Sequence, residues 1–94
     1  MAYLITHFFE GGTEAQYRAT LAAAHPAGGL PPGQTYHAAG PTEGGWMVVA
    51  QWDTKDACDA FMGGTLVPAL QSLDDGLPGP PQEHACEIAN LVTG

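Results

Sequence analysis

Apolar residues in this chain fall into four short runs and two helical stripes, separated by glycine pairs and prolines. Tyr3 to Phe9 is rich in aromatic and β-branched side chains and stops at Gly11-Gly12, which predicts a first strand. The spacing of Thr13 to Gln16 matches a capping box, in which both side chains satisfy free backbone N–H groups, so a helix opens there. Tyr17, Leu21 and Ala24 recur on one face of it. His25-Pro26 ends it, because a residue before proline avoids helical backbone. Pro26 to Gly33 reads as a loop stiffened by its prolines. Gln34 to Ala39 predicts a second strand, Gly40 to Gly45 a turn, and Trp46 to Trp52 a third strand. Asp53 or Thr54 caps a second helix with Ala57, Cys58, Phe61 and Met62 on its apolar side. Gly63-Gly64 is expected to interrupt that helix before a short turn around Leu66 to Leu73. Asp74 to Pro81 must be loop, and Glu83 to Val92 predicts the last strand.

The predicted order is therefore strand, helix, strand, strand, helix, strand, in one domain spanning residues 1–94. A sheet with one wet face alternates apolar and polar residues. These strands do not. Tyr3, Ile5, His7 and Phe9 point one way and Leu4, Thr6 and Phe8 the other. Trp46, Val48, Ala50 and Trp52 likewise oppose Met47, Val49 and Gln51. Two helices cover only one face of four strands, so a second copy of the chain is the simplest cover for the other. An open face that binds a ligand or another protein is the alternative.

Composition narrows the partners. Apolar residues make up 45% of the chain, which argues against disorder. The net charge is -8 and the only basic side chains are Arg18 and Lys55. Nucleic acid is excluded on that ground, since binding it requires several cations against the phosphates. Anionic membrane surfaces are disfavoured in the same way. The N-terminal residues lack a basic start followed by a long apolar stretch, and no apolar run approaches ~18 residues, so neither a signal peptide nor a membrane span is expected. Cys58 and Cys86 are too few for a disulfide framework and read as reduced packing residues, which suits a cytoplasmic protein.

The passage Gly44-Gly45-Trp46-Met47-Val48-Val49-Ala50-Gln51-Trp52-Asp53-Thr54-Lys55-Asp56-Ala57, followed by Phe61, resembles the third strand and following helix of antibiotic biosynthesis monooxygenase-like proteins. His25-Pro26-Ala27-Gly28-Gly29-Leu30-Pro31-Pro32-Gly33-Gln34 is similar to the helix-to-strand connector of small members of the same superfamily, the dimeric α+β barrels. The resemblance covers nearly the whole chain. It implies an α+β, ferredoxin-like βαββαβ subunit with a four-stranded antiparallel sheet, paired sheet to sheet as a homodimer. Neither passage is specific for a reaction. The superfamily includes cofactor-free oxygenases, haem-degrading enzymes, polyketide cyclases, lactone isomerases and members without known activity, and fold alone does not choose among them.

The candidate chemistry rests on histidines and aromatics. His7, on the first strand beside Tyr3 and Ile5, can exchange a proton near neutral pH and is a candidate base, against the plain alternative of a hydrogen-bonded core histidine. A first-strand histidine also resembles the plant-type polyketide cyclases of this superfamily. Tyr36 and His37 are adjacent on a strand, so only one faces a given pocket, where either could orient a carbonyl or a phenol. His25 is a pocket-rim candidate or a partner for the last helical carbonyls. Trp46 and Trp52 share a face and either pack the core or stack on a flat ligand. Gln51, on the opposite face, could hydrogen-bond a substrate. His84 is expected to be exposed.

No metal site is expected. His84 and Glu87 face opposite ways on a strand, and Asp53, Asp56 and Asp59 suit a helix start. Ser72 has no nucleophile-elbow context. Haem, flavin and coenzyme A carry acidic groups that two basic residues serve poorly, so no cofactor is expected. These features point to a neutral, aromatic ligand and chemistry without a cofactor, and the resemblance then implies a small cofactor-independent enzyme acting on a neutral aromatic or polyketide-like molecule, as a monooxygenase with His7 and His37 as catalytic candidates. A cyclase or isomerase using the same pocket and a non-enzymatic ligand-binding dimer are the alternatives.

Overall fold

The computed structural model describes residues 2–25 and 29–94. Pro26, Ala27 and Gly28, which belong to the expected connector loop, lie outside the described residues. Strand β1 (Tyr3–Glu10) leads into α1 (Glu14–Ala24), β2 (Gln34–Thr42), β3 (Gly45–Trp52) and α2 (Lys55–Phe61). A π-helical segment (Met62–Leu66), α3 (Val67–Ser72) and β4 (Gln82–Glu87) follow. The four strands form one sheet in the order β2-β3-β1-β4, and every pairing is antiparallel. This is the predicted α+β order, with the first and third strands at the centre.

Local chemistry explains each element. Thr13 and Gln16 form the predicted capping box at the start of α1. At the start of α2 it is Thr54, not Asp53, whose hydroxyl accepts a hydrogen bond from the Ala57 N–H at 3.1 Å. The β2–β3 turn is tighter than the Gly40 to Gly45 segment predicts. It consists of Glu43 and Gly44, with Gly44 at a positive φ of 85° that its lack of a Cβ permits. Pro41 remains inside β2 because β2 is a sheet edge, where a missing N–H is tolerated.

Two expectations are corrected at the C-terminal half. Gly63-Gly64 does not break the second helix into a turn. The backbone widens to a π segment, with the Val67 N–H bonded to the Met62 carbonyl, and continues helically to Ser72. Pro68 supplies the reason. Its ring would clash with the carbonyl four residues earlier in a regular helix, and local widening relieves that clash. The last strand stops at Glu87 instead of Val92. Among the described residues its neighbour is β1 alone, whose pairing ends with Tyr3 opposite Glu87, and one further bond joins the Ile88 N–H to the Ala2 carbonyl.

The helices pack on the sheet face that carries Ile5, His7, Phe9, Trp46, Ala50 and Trp52. One core cluster joins Ile5, Ala50 and Trp52 to Ala24, Cys58, Phe61 and Ala69, and a second joins Phe9 and Trp46 to Tyr17 and Leu77. The loop after α3 is held to α1 by the Leu77 N–H, which donates to the Thr20 hydroxyl at 2.9 Å. The opposite face presents Leu4, Thr6, Phe8, Tyr36, Met47, Val49 and Gln51 and carries no helix among the described residues. Met47 and Tyr36 are 43% and 55% exposed there, a high value for Met47 on the central strand β3, while Tyr36 lies on the edge strand β2. Cys58 is buried as expected, and its thiol pKa is pushed up to about 11 by burial. Cys86 is not a packing residue. It is exposed on the open face opposite Leu4.

Candidate functional site

Between the two core clusters lies a cavity of about 50 Å³. Members of both line it: Ala24, Ala50 and Phe61 from one, Phe9, Tyr17 and Leu77 from the other. Met62 and Leu66, on the π segment, close part of its wall. Into this apolar lining project His7, Tyr17, His25, Gln34 and His37.

Four of these five polar groups fall into two assemblies. His7 sits directly opposite Glu83 in the β1–β4 register, and its Nε2 is 3.0 Å from the Glu83 Oε1. His7 is 6% exposed, so it is a buried imidazole held by a carboxylate at the sheet edge. With Nε2–H donated to Glu83, the basic nitrogen of the neutral ring is Nδ1, which makes no hydrogen bond among the described residues. The second assembly lies on β2 and α1. Tyr17 Oη and His37 Nε2 are 2.6 Å apart, and the His25 ring stands edge-on to His37 at 4.8 Å and to Phe61 at 5.7 Å.

Burial sets the charge of the second assembly. It lowers the pKa of His37, which neighbouring His25 lowers further, and it lowers that of His25. Burial raises the pKa of Tyr17, against a smaller opposing pull from Arg18. At neutral pH the pair is thus a phenol and a neutral imidazole. Tyr17 Oη meets no other acceptor among the described residues, so its hydrogen goes to His37 Nε2 and the imidazole proton sits on Nδ1. That Nδ1 is buried without a partner among the described residues, as is the Gln34 Oε1.

No Lys or Arg lines the cavity. Arg18 is paired with Glu14 and Lys55 with Asp59, both on exposed helix surfaces. An anionic ligand would therefore be desolvated without a counter-charge, and a neutral one would not. No group of three or more metal-ligating side chains occurs among the described residues.

Of the residues singled out in the sequence, His7, His25 and His37 meet in this cavity. Trp46 and Trp52 flank it in the core, packed on Tyr17 at 5.2 Å and on Phe61 at 5.3 Å. Tyr36 and Gln51 lie opposite each other on the open face, away from it. His25 caps α1 through its backbone N–H, while its side chain turns to the cavity. Three polar residues of the site have no sequence signal of their own. Tyr17 reads as part of a helical core stripe and Glu83 as the start of an edge strand. Gln34 is the first residue of β2.

No protein-family model matches the sequence, and no curated protein matches it. Solved structures do. Rv0793 from Mycobacterium tuberculosis is 14% identical with a TM-score of 0.72, over 99% of this chain and 100% of that one. SnoaB, a cofactor-independent oxygenase from Streptomyces nogalater, is 17% identical with a TM-score of 0.63, over 99% and 97%. The monooxygenase ActVA-Orf6 of Streptomyces coelicolor, solved with nanaomycin D, is 23% identical with a TM-score of 0.59, over 99% and 91%. The chain shares the ferredoxin-like fold of these proteins, with the four-stranded antiparallel sheet and helix-covered face that its sequence predicts.

Proposed function

We propose that this protein is a small cofactor-independent monooxygenase acting on a neutral, hydroxylated aromatic or polyketide-like molecule, and that it works as a homodimer paired through its open sheet faces. The observation that carries this reading is a buried histidine, oriented by Glu83, lining an apolar cavity that contains no cation. Oxygenation without a cofactor requires a substrate that becomes an electron-rich anion. His7 Nδ1 takes a proton from the substrate hydroxyl or an activated ring carbon, and Glu83 stabilises the resulting imidazolium. The anion reduces oxygen, the ring gains one oxygen atom, and the second leaves as water with two substrate hydrogens. The protein's part is deprotonation and a dry, oriented pocket. SnoaB, a cofactor-independent oxygenase, and the monooxygenase ActVA-Orf6 share this fold, which accommodates oxygenation without selecting it over other proton-transfer chemistry.

At about 50 Å³ the cavity is smaller than a ligand site, which typically needs ~300 Å³ or more, so the substrate enters by displacing part of the wall. Met62 and Leu66 are the side chains placed to move, because they flank the exposed Gly63-Gly64 pair on the π segment.

An oxygen electrode tests the proposal. Purified protein is offered anthrone- and hydroquinone-type aromatics without added metal or flavin, beside a His7→Ala control. Oxygen uptake is expected, and removal of a general base should lower it by roughly 10²–10⁴-fold. Conversion without uptake would replace oxygenation by cyclisation or isomerisation. No conversion and no binding across the panel would leave a non-enzymatic dimer.

A further inference from the structure

Gln34 and His37 are three residues apart, and on a regular strand they would point to opposite faces of the sheet. In this protein both line the same cavity. The β2–β3 register explains it. Gln34 is opposite Trp52 and Tyr36 is opposite Gln51, so two steps on β2 match one on β3 and Thr35 is the extra residue of a bulge. Such bulges re-aim side chains, and they are over-represented next to functional sites. The surrounding chain holds the bulge in place. The Gln34 N–H donates to the Pro31 carbonyl at 3.1 Å, the Asp53 N–H to the Gly33 carbonyl at 2.8 Å, and the Thr35 hydroxyl to the Gln51 carbonyl at 3.3 Å. Gly33 precedes the bulge at a φ of +86°, and any Cβ there would lie 2.6 Å from that of Ala57.

Bringing a glutamine to this face has a cost. Gln34 is 8% exposed, and its Oε1 is buried with no partner among the described residues. His37 Nδ1, the protonated nitrogen once Tyr17 donates to Nε2, is buried and unpartnered as well. A buried polar atom left unpaired is unfavourable by about 1–3 kcal/mol. An apolar residue at position 34 would avoid that penalty in a purely structural strand.

We infer that Gln34 and His37 are the specificity-determining pair of this site, one acceptor and one donor that together read a hydroxyl group on an otherwise apolar ligand. A hydroxyl donates one hydrogen and accepts through its lone pairs, which matches a Gln34 oxygen and a His37 Nδ1–H together. A carbonyl satisfies only His37, and a hydrocarbon neither. The inference rests on the proposed apolar-ligand reading of the cavity, and it adds which chemical group on that ligand is read. Tyr17 is a positioning residue here, because it sets the His37 tautomer without facing the hydroxyl itself.

The test is equilibrium binding of two near-isosteric probes, 2-naphthol and 2-methylnaphthalene, by calorimetry or fluorescence. The wild type should favour 2-naphthol well beyond what the two compounds' octanol partitioning gives. In Gln34→Leu the preference should fall by ~10-fold or more, with 2-methylnaphthalene bound at least as tightly as in the wild type, which also reports an intact fold. His37→Phe should behave alike, and Gln34→Met serves if leucine disturbs the bulge. Wild-type affinities that simply follow partitioning would overturn the inference with no variant needed, while leaving the ligand reading intact. A preference unchanged in both position-34 and position-37 variants would overturn it equally. If neither probe binds the wild type, the apolar-ligand reading fails and this inference fails with it.

Discussion

The two faces of this sheet are built from neighbouring residues on the same strands, yet they do different things. On the helix-covered face, Ile5, Phe9, Trp46 and Trp52 are almost wholly buried, and the polar groups among them are mostly held: His7 by Glu83 and His37 by Tyr17. On the open face, Leu4, Phe8, Met47 and Val49 are apolar but half-buried or exposed, the polar Thr6 and Gln51 are half-buried, and Tyr36 and His84 are exposed. Burial is what converts side chains into chemistry here. It shifts the pKa of Tyr17, His25 and His37 on the covered face, where a polar group must be paired or ligand-bound. The open face has the hydrophobicity of an interface and no such assembly.

Substitutions on the two faces should therefore separate stability from association. Trp52 is fully buried against Phe61, so Trp52→Ala should destabilise the fold by about 3–5 kcal/mol in chemical denaturation. Phe8→Asp, on the open face, should instead keep the circular dichroism spectrum and halve the mass seen by light scattering, because a carboxylate would be buried in the proposed dimer interface. Cys86 sharpens the same contrast. It is exposed in one subunit and lies on the face the second copy would cover, so its reaction with a thiol reagent should be slow in the wild type and fast in Phe8→Asp. Equal rates, or a wild type that is monomeric at micromolar concentration, would remove the second copy from the account.

A smaller effect concerns pH. Burial lowers the pKa of His25 and His37 below the ordinary value of 6.5, so the unfolded chain binds their protons more readily than the folded one. Stability should be unaffected by these groups well above 6.5 and should decline as pH falls from there towards the folded values. His37→Phe should flatten part of that decline below the ordinary histidine value in thermal melts. An unchanged slope would mean that the imidazole is not desolvated in the native state.

Much of this architecture is legible in the sequence because its signals are local. The Thr13–Gln16 capping box, the Trp46 to Trp52 run and the doubly apolar strands each follow from neighbouring residues, and together they give the element order and the unpartnered face. The misplacements arise where distant contacts decide. The extent of β4 depends on where β1 runs out, and the response of the second helix to Gly63-Gly64 depends on Pro68. The site divides in the same way. Strand parity from Tyr3 to Phe9 groups His7 with Ile5 and Phe9, but both faces of the strand are apolar, so parity does not say which one the helices cover, and the partner Glu83 is fixed by cross-strand register 76 residues away. Gln34 was hidden by the bulge at Thr35, which breaks the alternation that any reading of strand faces assumes.

The proposed ligand site lies on the helix-covered face, beside His7 and His37. The most direct measurement is the chemical-shift footprint of 2-naphthol on the ¹⁵N- and ¹³C-labelled protein by nuclear magnetic resonance. The account predicts saturable shifts at His7, Tyr17, Gln34 and His37, with line-broadening along Met62 to Leu66 as the wall opens. A footprint confined to Leu4, Phe8, Met47 and Val49 would contradict it and make the open face the binding surface.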